Sequence, residues 1–391
     1  MAFAKWMSRL GTETAFEVLA KARQLEAMGR EIVHLEIGEP DFDTPRFICD
    51  AAVEALRAGY THYGPSAGLP EVRESISAYV TRTRGVQYGP ENVVVTPGAK
   101  PIIFFSLIAC VEAGDEVIYP DPAFPIYESM VNFLGAKPVP LKLREERGFS
   151  VDVDELASLL TDKTRFLILN SPANPTGGVI PKEDLARVAE LVRDRDLYVL
   201  SDEIYSRILY EGEHHSIASC PGMREKTIIL DGHSKTYAMT GWRLGYGVMP
   251  VDLANHMTRL MTNSNSCCNV FVQRAGMKAL EGPQDEVEAM VAEFQRRRDV
   301  IVDGLNAIPG FRCARPKGAF YAFPNVSQIP VPSRQLAADL LDKAGVACLS
   351  GTSFGAGGDG YLRFSYANSV KNLETALARI RGYLEEAGLA S

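Results

Sequence analysis

Cysteine is sparse in this chain and poorly arranged for either of its structural uses. The seven cysteines (49, 110, 220, 267, 268, 313 and 348) are odd in number, dispersed, and never spaced as CxxC. That pattern excludes a disulfide-stapled scaffold and fits free thiols in a reducing cytoplasm. No metal site is expected, because His214-His215 and Cys267-Cys268 are adjacent pairs rather than ligands at metal spacing. Basic runs are missing and the net charge is −8, which argues against a nucleic-acid surface. No stretch approaches the ~18 apolar residues of a membrane span. Residues 1–29 scatter charge throughout, Glu13 and Glu17 included, and hold no apolar h-region, so they do not read as a secretory signal.

Several catalytic signatures are missing too. There is no GxxxxGK[ST] and no GxSxG, and Ser234 adjoins Lys235 instead of standing at the S-x-x-K spacing. "GAGGDG" (355–360) matches G-x-G-x-x-G but runs into the strand-like "YLRFSY". A dinucleotide fingerprint must open a helix, so this stretch reads as a flexible glycine loop. No internal repeat, low-complexity segment or Gly/Ser linker divides the chain.

What is present is an ordinary globular composition over 391 residues, 46% hydrophobic and 23% charged, enough for about two domains. β-Branched and aromatic runs alternate with helical patterns: "NVVVT" (92–96), "DEVIYP" (115–120), "RFLILNSP" (165–172), "LYVLSDE" (197–203), "KTIILDG" (226–232) and "GYGVMP" (245–250). This alternation predicts an α/β domain with a mainly parallel, buried sheet. From about residue 284 the pattern changes. A long amphipathic helix (284–308), short strands at "FYAFP", "VACLS" and "YLRFSY", the helix "SRQLAADLLDKAG" and a terminal helix from about 370 predict a smaller α+β domain.

In open α/β sheets ligands bind beyond the carboxyl ends of the strands. Standing there are Gly98-Ala99-Lys100, Asn170-Ser171 with Asn174, Asp202 with Tyr205, and Lys235. Asn174 to Asp202 is 28 residues and Asp202 to Lys235 is 33, against about 30 for one βαβ unit. Taken singly each has an ordinary explanation: Lys235 a solvated charge, Asp202 a helix cap, Arg243 a surface ion pair, Tyr205 core. Together they suit one chemistry. A lysine amine forms Schiff bases with carbonyls. Pyridoxal phosphate needs that lysine, a carboxylate at its pyridine nitrogen and an anion site for its phosphate. Arg243 offers a permanent bidentate cation, and the helix start at Gly98-Ala99-Lys100 offers free N–H groups.

"NSPANPTG" (170–177), "SDEIYSRILY" (201–210), "SKTYAMTGWRLGYG" (234–247) and "YLRFSYA" (361–367) together resemble the class I and II aminotransferases. These are fold-type-I pyridoxal-phosphate enzymes, and the similarity includes the bacterial branch often labelled aspartate aminotransferase. It runs from "HLEIGEPDFDTP" (34–45) to the C-terminus. The resemblance implies a mainly parallel seven-stranded sheet between helices in a large domain at 46–283. A small domain is implied from 1–45 with 284–391. It implies Lys235 as the cofactor-bearing lysine and proton shuttle, Asp202 at the pyridine nitrogen, and Tyr205 and Asn174 at the ring 3-oxygen. Arg243 and the backbone of Gly98, Ala99 and Lys100 fall at the phosphate, and Phe124 is stacked on the ring. Arg363, with Asn174 and Gly38, falls at the substrate α-carboxylate. Tyr63 resembles a tyrosine that reaches the phosphate of a neighbouring subunit, implying a homodimer. The chain departs from the family pattern at Gly232, where many relatives carry a phosphate-binding serine. Ser234 directly precedes the lysine instead, and His233 stands at a position expected to be hydrophobic and reads as packed.

The activity implied is ping-pong transamination between an L-amino acid and a 2-oxo acid. A β-lyase on the same fold is the enzymatic rival. A non-catalytic sensor is disfavoured, because no stretch is left for a DNA-binding domain. A dicarboxylic substrate needs a second cation. "PIIFFSLIACVE" holds none, leaving Lys100 or an arginine of a partner subunit. Phe124, Tyr127, Tyr321 and "TNSNSCC" (262–268) suit a neutral or aromatic side chain. The expectation is a neutral-amino-acid transaminase, with aspartate as the alternative.

Overall fold

The computed structural model describes residues 3–389. Seven strands form the main sheet, in the spatial order Val93–Thr96, Gly245–Val248, Thr227–Gly232, Tyr198–Asp202, Thr164–Asn170, Glu116–Asp121 and Lys137–Lys142. Gly245–Val248 runs antiparallel to both of its neighbours, and the other neighbouring pairs are parallel. Parallel neighbours need crossovers, and helices cover both faces as a result. Alternate strand residues therefore face different helical layers. Phe166, Ile168, Leu200 and Ile228 pack with Ile103 and Met257, whereas Leu167, Leu169 and Val199 pack with Leu185 and Val188.

Six of these strands coincide with the apolar runs of the sequence. The seventh, "KPVPLK", was missed because two prolines break its pattern. It lies at the sheet edge, the place where proline is tolerated, and its burial alternates as in a half-exposed strand. "VACLS" is not one strand. Val346–Ala347 pairs parallel to Val33–His34, and Leu349–Ser350 pairs antiparallel to Leu362–Ser365. The N-terminal segment is thereby joined to the C-terminal one, with Leu35 N–H donating to Ala347 O (3.0 Å) and Ser365 N–H to Leu35 O (2.7 Å). Leu35 lies in a second core with Phe294, Ile301, Phe320, Phe364 and Leu373.

The glycine loop at 355–360 is packed rather than flexible. Gly357 N–H donates to both carboxylate oxygens of Asp121 (3.0 and 2.9 Å), and a Cβ at Gly355 would strike the same carboxylate. Its glycines serve close approach of two backbones, not a dinucleotide. Among the described residues no helix is long and apolar enough to cross a membrane.

Candidate active site

Asn170 and Asp202 are register partners on adjacent parallel strands, and Asp202 also partners Leu230. Both polar residues therefore emerge at one carboxyl edge, and Lys235 follows three residues after the end of the next strand. A cavity of about 510 Å³ opens there. Its wall brings together Gly38, Ala99, Lys100, Phe124, Asn174, Asp202, Tyr205, Ser234, Lys235, Arg243 and Arg363. Two sequence candidates are not on that wall. Gly98 lies behind it, against the Arg243 guanidinium. Tyr63 is 90% exposed on the surface.

Lys235 is half-buried, and its ammonium donates to Gly38 O. Burial lowers its pKa to about 8, with Glu39 opposing and Arg363 and Arg243 reinforcing the shift. A lysine so placed yields its proton far more readily than one in water. Burial raises Asp202 to about 6. The Tyr127 hydroxyl (2.6 Å) and Ile204 N–H (3.2 Å) donate to this carboxylate and favour its charged form. Tyr127 thus does not stand free for a substrate side chain, as its aromatic ring alone suggested. It is fully buried and its hydroxyl is committed to Asp202.

The phenols of Tyr205 and Tyr321 share a hydrogen bond of 2.6 Å, and burial keeps the Tyr205 hydroxyl protonated well beyond its ordinary range. Tyr321 also stacks under Arg363, whose guanidinium carbon lies 4.6 Å from that ring and 4.8 Å from Phe354. Arg363 Nη1 donates to Asn174 Oδ1 (3.1 Å) and Nη2 to Glu36 O. Its Nε is buried with no partner among the described residues.

Arg243 adopts the left-handed region (φ 55), and its guanidinium donates to Thr240 O (2.9 Å). Gly98, also at positive φ (85), lies so close that any Cβ would collide with it. The positive φ is what calls for glycine there, and a Cβ would also push the Arg243 guanidinium aside. Beyond it the helix Lys100–Cys110 begins, so a guanidinium and a helix start form one cationic corner.

The family model for aminotransferase class I and II matches residues 30–380 of this chain. The chain belongs to the class I and II aminotransferases. It is 41% identical over 372 residues to an aspartate aminotransferase of Pyrococcus abyssi, covering 94% of this chain and 95% of that protein. The structure of Thermus thermophilus aspartate aminotransferase with maleate superposes with a TM-score of 0.94 at 38% identity, covering 98% of this chain and 100% of the other. An aromatic aminotransferase from Pyrococcus horikoshii superposes with a TM-score of 0.89 at 41% identity, covering 95% and 100%. The fold and the reaction class, transamination, are those the sequence motifs implied.

This aminotransferase also contains site residues that the motifs did not reveal. Glu13, Ala15, Phe16 and Glu39 reach the cavity from the N-terminal segment, whereas "TNSNSCC" does not line it. Beneath the carboxyl edge a buried ionic network joins Arg84 to Glu203 (2.8 Å) and Asp231 (2.6 Å), with Ser206 also on Arg84 and His214 on Glu203. Buried charges persist only when paired in this way. Asp231, an acid inside the apolar run "TIILDG", was the available signal for it.

His233 is packed, as expected. Its Nε2 donates to Gly276 O (3.0 Å), and its ring lies against Tyr237 and Tyr246. Burial lowers its pKa to about 4 from 6.5. The unfolded chain therefore binds the extra proton between those values, so stability present above pH 6.5 is lost as pH falls through 4. Urea unfolding at pH 7 and pH 4.5 is expected to show wild type losing about 2 kcal/mol more than His233→Gln.

Proposed function

We propose that this aminotransferase uses pyridoxal 5′-phosphate held at Lys235, and moves an amino group from an L-amino acid to a 2-oxo acid by a ping-pong path. The observation that carries the reading is the convergence of Lys235, Asp202, Arg243 and Arg363 on one cavity. The donor set fits the cofactor: an amine of lowered pKa for its aldehyde, a buried carboxylate for its ring nitrogen, and a cationic helix corner for its phosphate. When bound, the cofactor supplies an aldehyde that takes up the amino group and a ring that accepts the electron pair from Cα.

The protein's part is positioning and proton transfer. The carboxylate of Asp202 would hold a proton at the ring nitrogen. Tyr205 and Asn174 would hold the ring 3-oxygen, and Phe124 would pack on the ring. Arg243 and the N–H groups at Gly98, Ala99 and Lys100 would hold the phosphate, and Ser234 lines the same cavity. Arg363, with Asn174 and the backbone of Gly38, holds the α-carboxylate, which fixes the direction of the Cα–H bond. Lys235 Nζ then takes the Cα proton and returns it on the other side of the amino-group transfer.

The substrate reading is an amino acid with a neutral or aromatic side chain, or aspartate, supported by relatives named for both kinds. We read the assembly as a homodimer in which Tyr63 of one protomer reaches the site of its partner, because its exposed ring has no place on its own cavity wall. The division into 46–283 and 1–45 with 284–391 is supported by the pairing of Val33–His34 with Val346–Ala347. Seven free cysteines support the cytoplasm.

The test is a half-reaction. The loaded enzyme, given one amino acid and no oxo acid, is expected to release the matching 2-oxo acid and to accumulate pyridoxamine phosphate. Release of ammonia with the cofactor unchanged would instead make it a lyase.

A further inference from the structure

Four cations reach the cavity wall, Lys100, Lys235, Arg243 and Arg363, against three carboxylates, Glu13, Glu39 and Asp202. In the reading above, Lys235 and Arg243 serve the cofactor, Arg363 the α-carboxylate, and Asp202 the ring nitrogen. Glu39 accepts from the Thr240 hydroxyl. That leaves the ammonium of Lys100, which is ion-paired with Glu13.

The pair joins two helix starts. Lys100 is the first residue of the helix Lys100–Cys110, where the dipole disfavours a cation and an anion beside it is stabilising. Glu13 immediately precedes the helix Thr14–Ala27, a position whose side chain commonly bonds back to the free N–H groups. It makes no such bond and reaches Lys100 instead. The ammonium lies 5.3 Å from the centre of the Phe124 ring. Phe16, on the same wall and 59% exposed, leaves apolar surface uncovered beside the pair.

We propose that Glu13 is a specificity residue of the transamination: by occupying Lys100 it fits the outer cavity to amino acids with uncharged side chains and against dicarboxylic ones. The proposal rests on the transaminase reading of this site. A distal carboxylate entering the cavity has to draw Lys100 away from Glu13, leaving two carboxylates around one ammonium, and such like-charge contact is how sites reject a partner. An uncharged side chain leaves the pair closed and covers Phe16 and Phe124. The Glu13 and Lys100 side chains are 18% and 39% exposed, so water screens the effect to a modest size.

The experiment uses the cofactor-loaded wild type, Glu13→Gln and Glu13→Asp. It measures kcat/KM in half-reactions with aspartate and phenylalanine. It also measures calorimetric binding of succinate and 3-phenylpropionate, which cannot react. Glu13→Gln is expected to raise the aspartate-to-phenylalanine ratio about tenfold, and the succinate-to-phenylpropionate affinity ratio similarly. Glu13→Asp, which keeps the carboxylate, stays nearer wild type. Ratios unchanged within about twofold in both assays overturn the proposal. If wild type yields an oxo acid from neither amino acid, the transaminase reading fails, and the two non-reacting ligands still report on Glu13.

Discussion

Lys235→Ala is expected to lower the half-reaction rate by about four orders of magnitude or more, because one group both holds the cofactor and moves the proton. Lys235→Arg is expected to be nearly as damaging. An ordinary surface lysine tolerates arginine, since the charge is kept. A proton-accepting amine does not, since a guanidinium stays protonated at any accessible pH. The burial that brings the Lys235 amine down to about 8 would still leave an arginine protonated. Of the other cations on the wall only Lys100 is an amine, and it is held by Glu13, so no second group stands ready to substitute. Single-turnover rates with circular dichroism as the fold control decide the matter. Lys235→Arg retaining more than about a tenth of the wild-type rate would defeat the assignment.

The reason Lys235 could be singled out from sequence is geometric. A parallel sheet sends each strand's carboxyl end to the same edge, so Asn170, Asp202 and Lys235 were bound to meet once the strands were recognised. Strand recognition itself failed where another demand altered the local pattern. The prolines of "KPVPLK" are acceptable only because that strand lies at an edge. "VACLS" divides because its two halves serve different sheets. Contacts between distant segments left even less trace. The Lys100–Glu13 pair spans 87 positions and the Tyr127–Asp202 bond spans 75. A glutamate before a helix reads as an ordinary helix start, and the aromatic ring of Tyr127 reads as a surface for a substrate side chain. Nothing in the charged run "RTRG" marks Arg84 as the residue that is buried against Glu203, Asp231 and Ser206. The positions that sheet geometry brings together were legible, while the groups that tune their charge were not.

Arg363→Lys is expected to cut kcat/KM by about two to three orders of magnitude for every amino acid, whatever its side chain. The guanidinium is clamped between the rings of Tyr321 and Phe354, and its two terminal nitrogens hold Asn174 Oδ1 and Glu36 O. Of its other N–H groups, the one on Nε is buried with no partner among the described residues, a condition that costs about 1–3 kcal/mol. A carboxylate arriving in the cavity gains a charge-assisted bond to this guanidinium. Lysine offers a single point of charge with no planar fork. It cannot lie flat between two rings while also reaching Asn174, Glu36 and a carboxylate. The loss should therefore fall on the part common to all amino acids. It should appear chiefly in KM, and equally with aspartate and phenylalanine. Glu13→Gln should do the opposite, changing the ratio between those two substrates. Measuring both variants against both amino acids separates the two ends of the substrate. An Arg363→Lys loss confined to aspartate would move the α-carboxylate to another cation and assign Arg363 to the side chain.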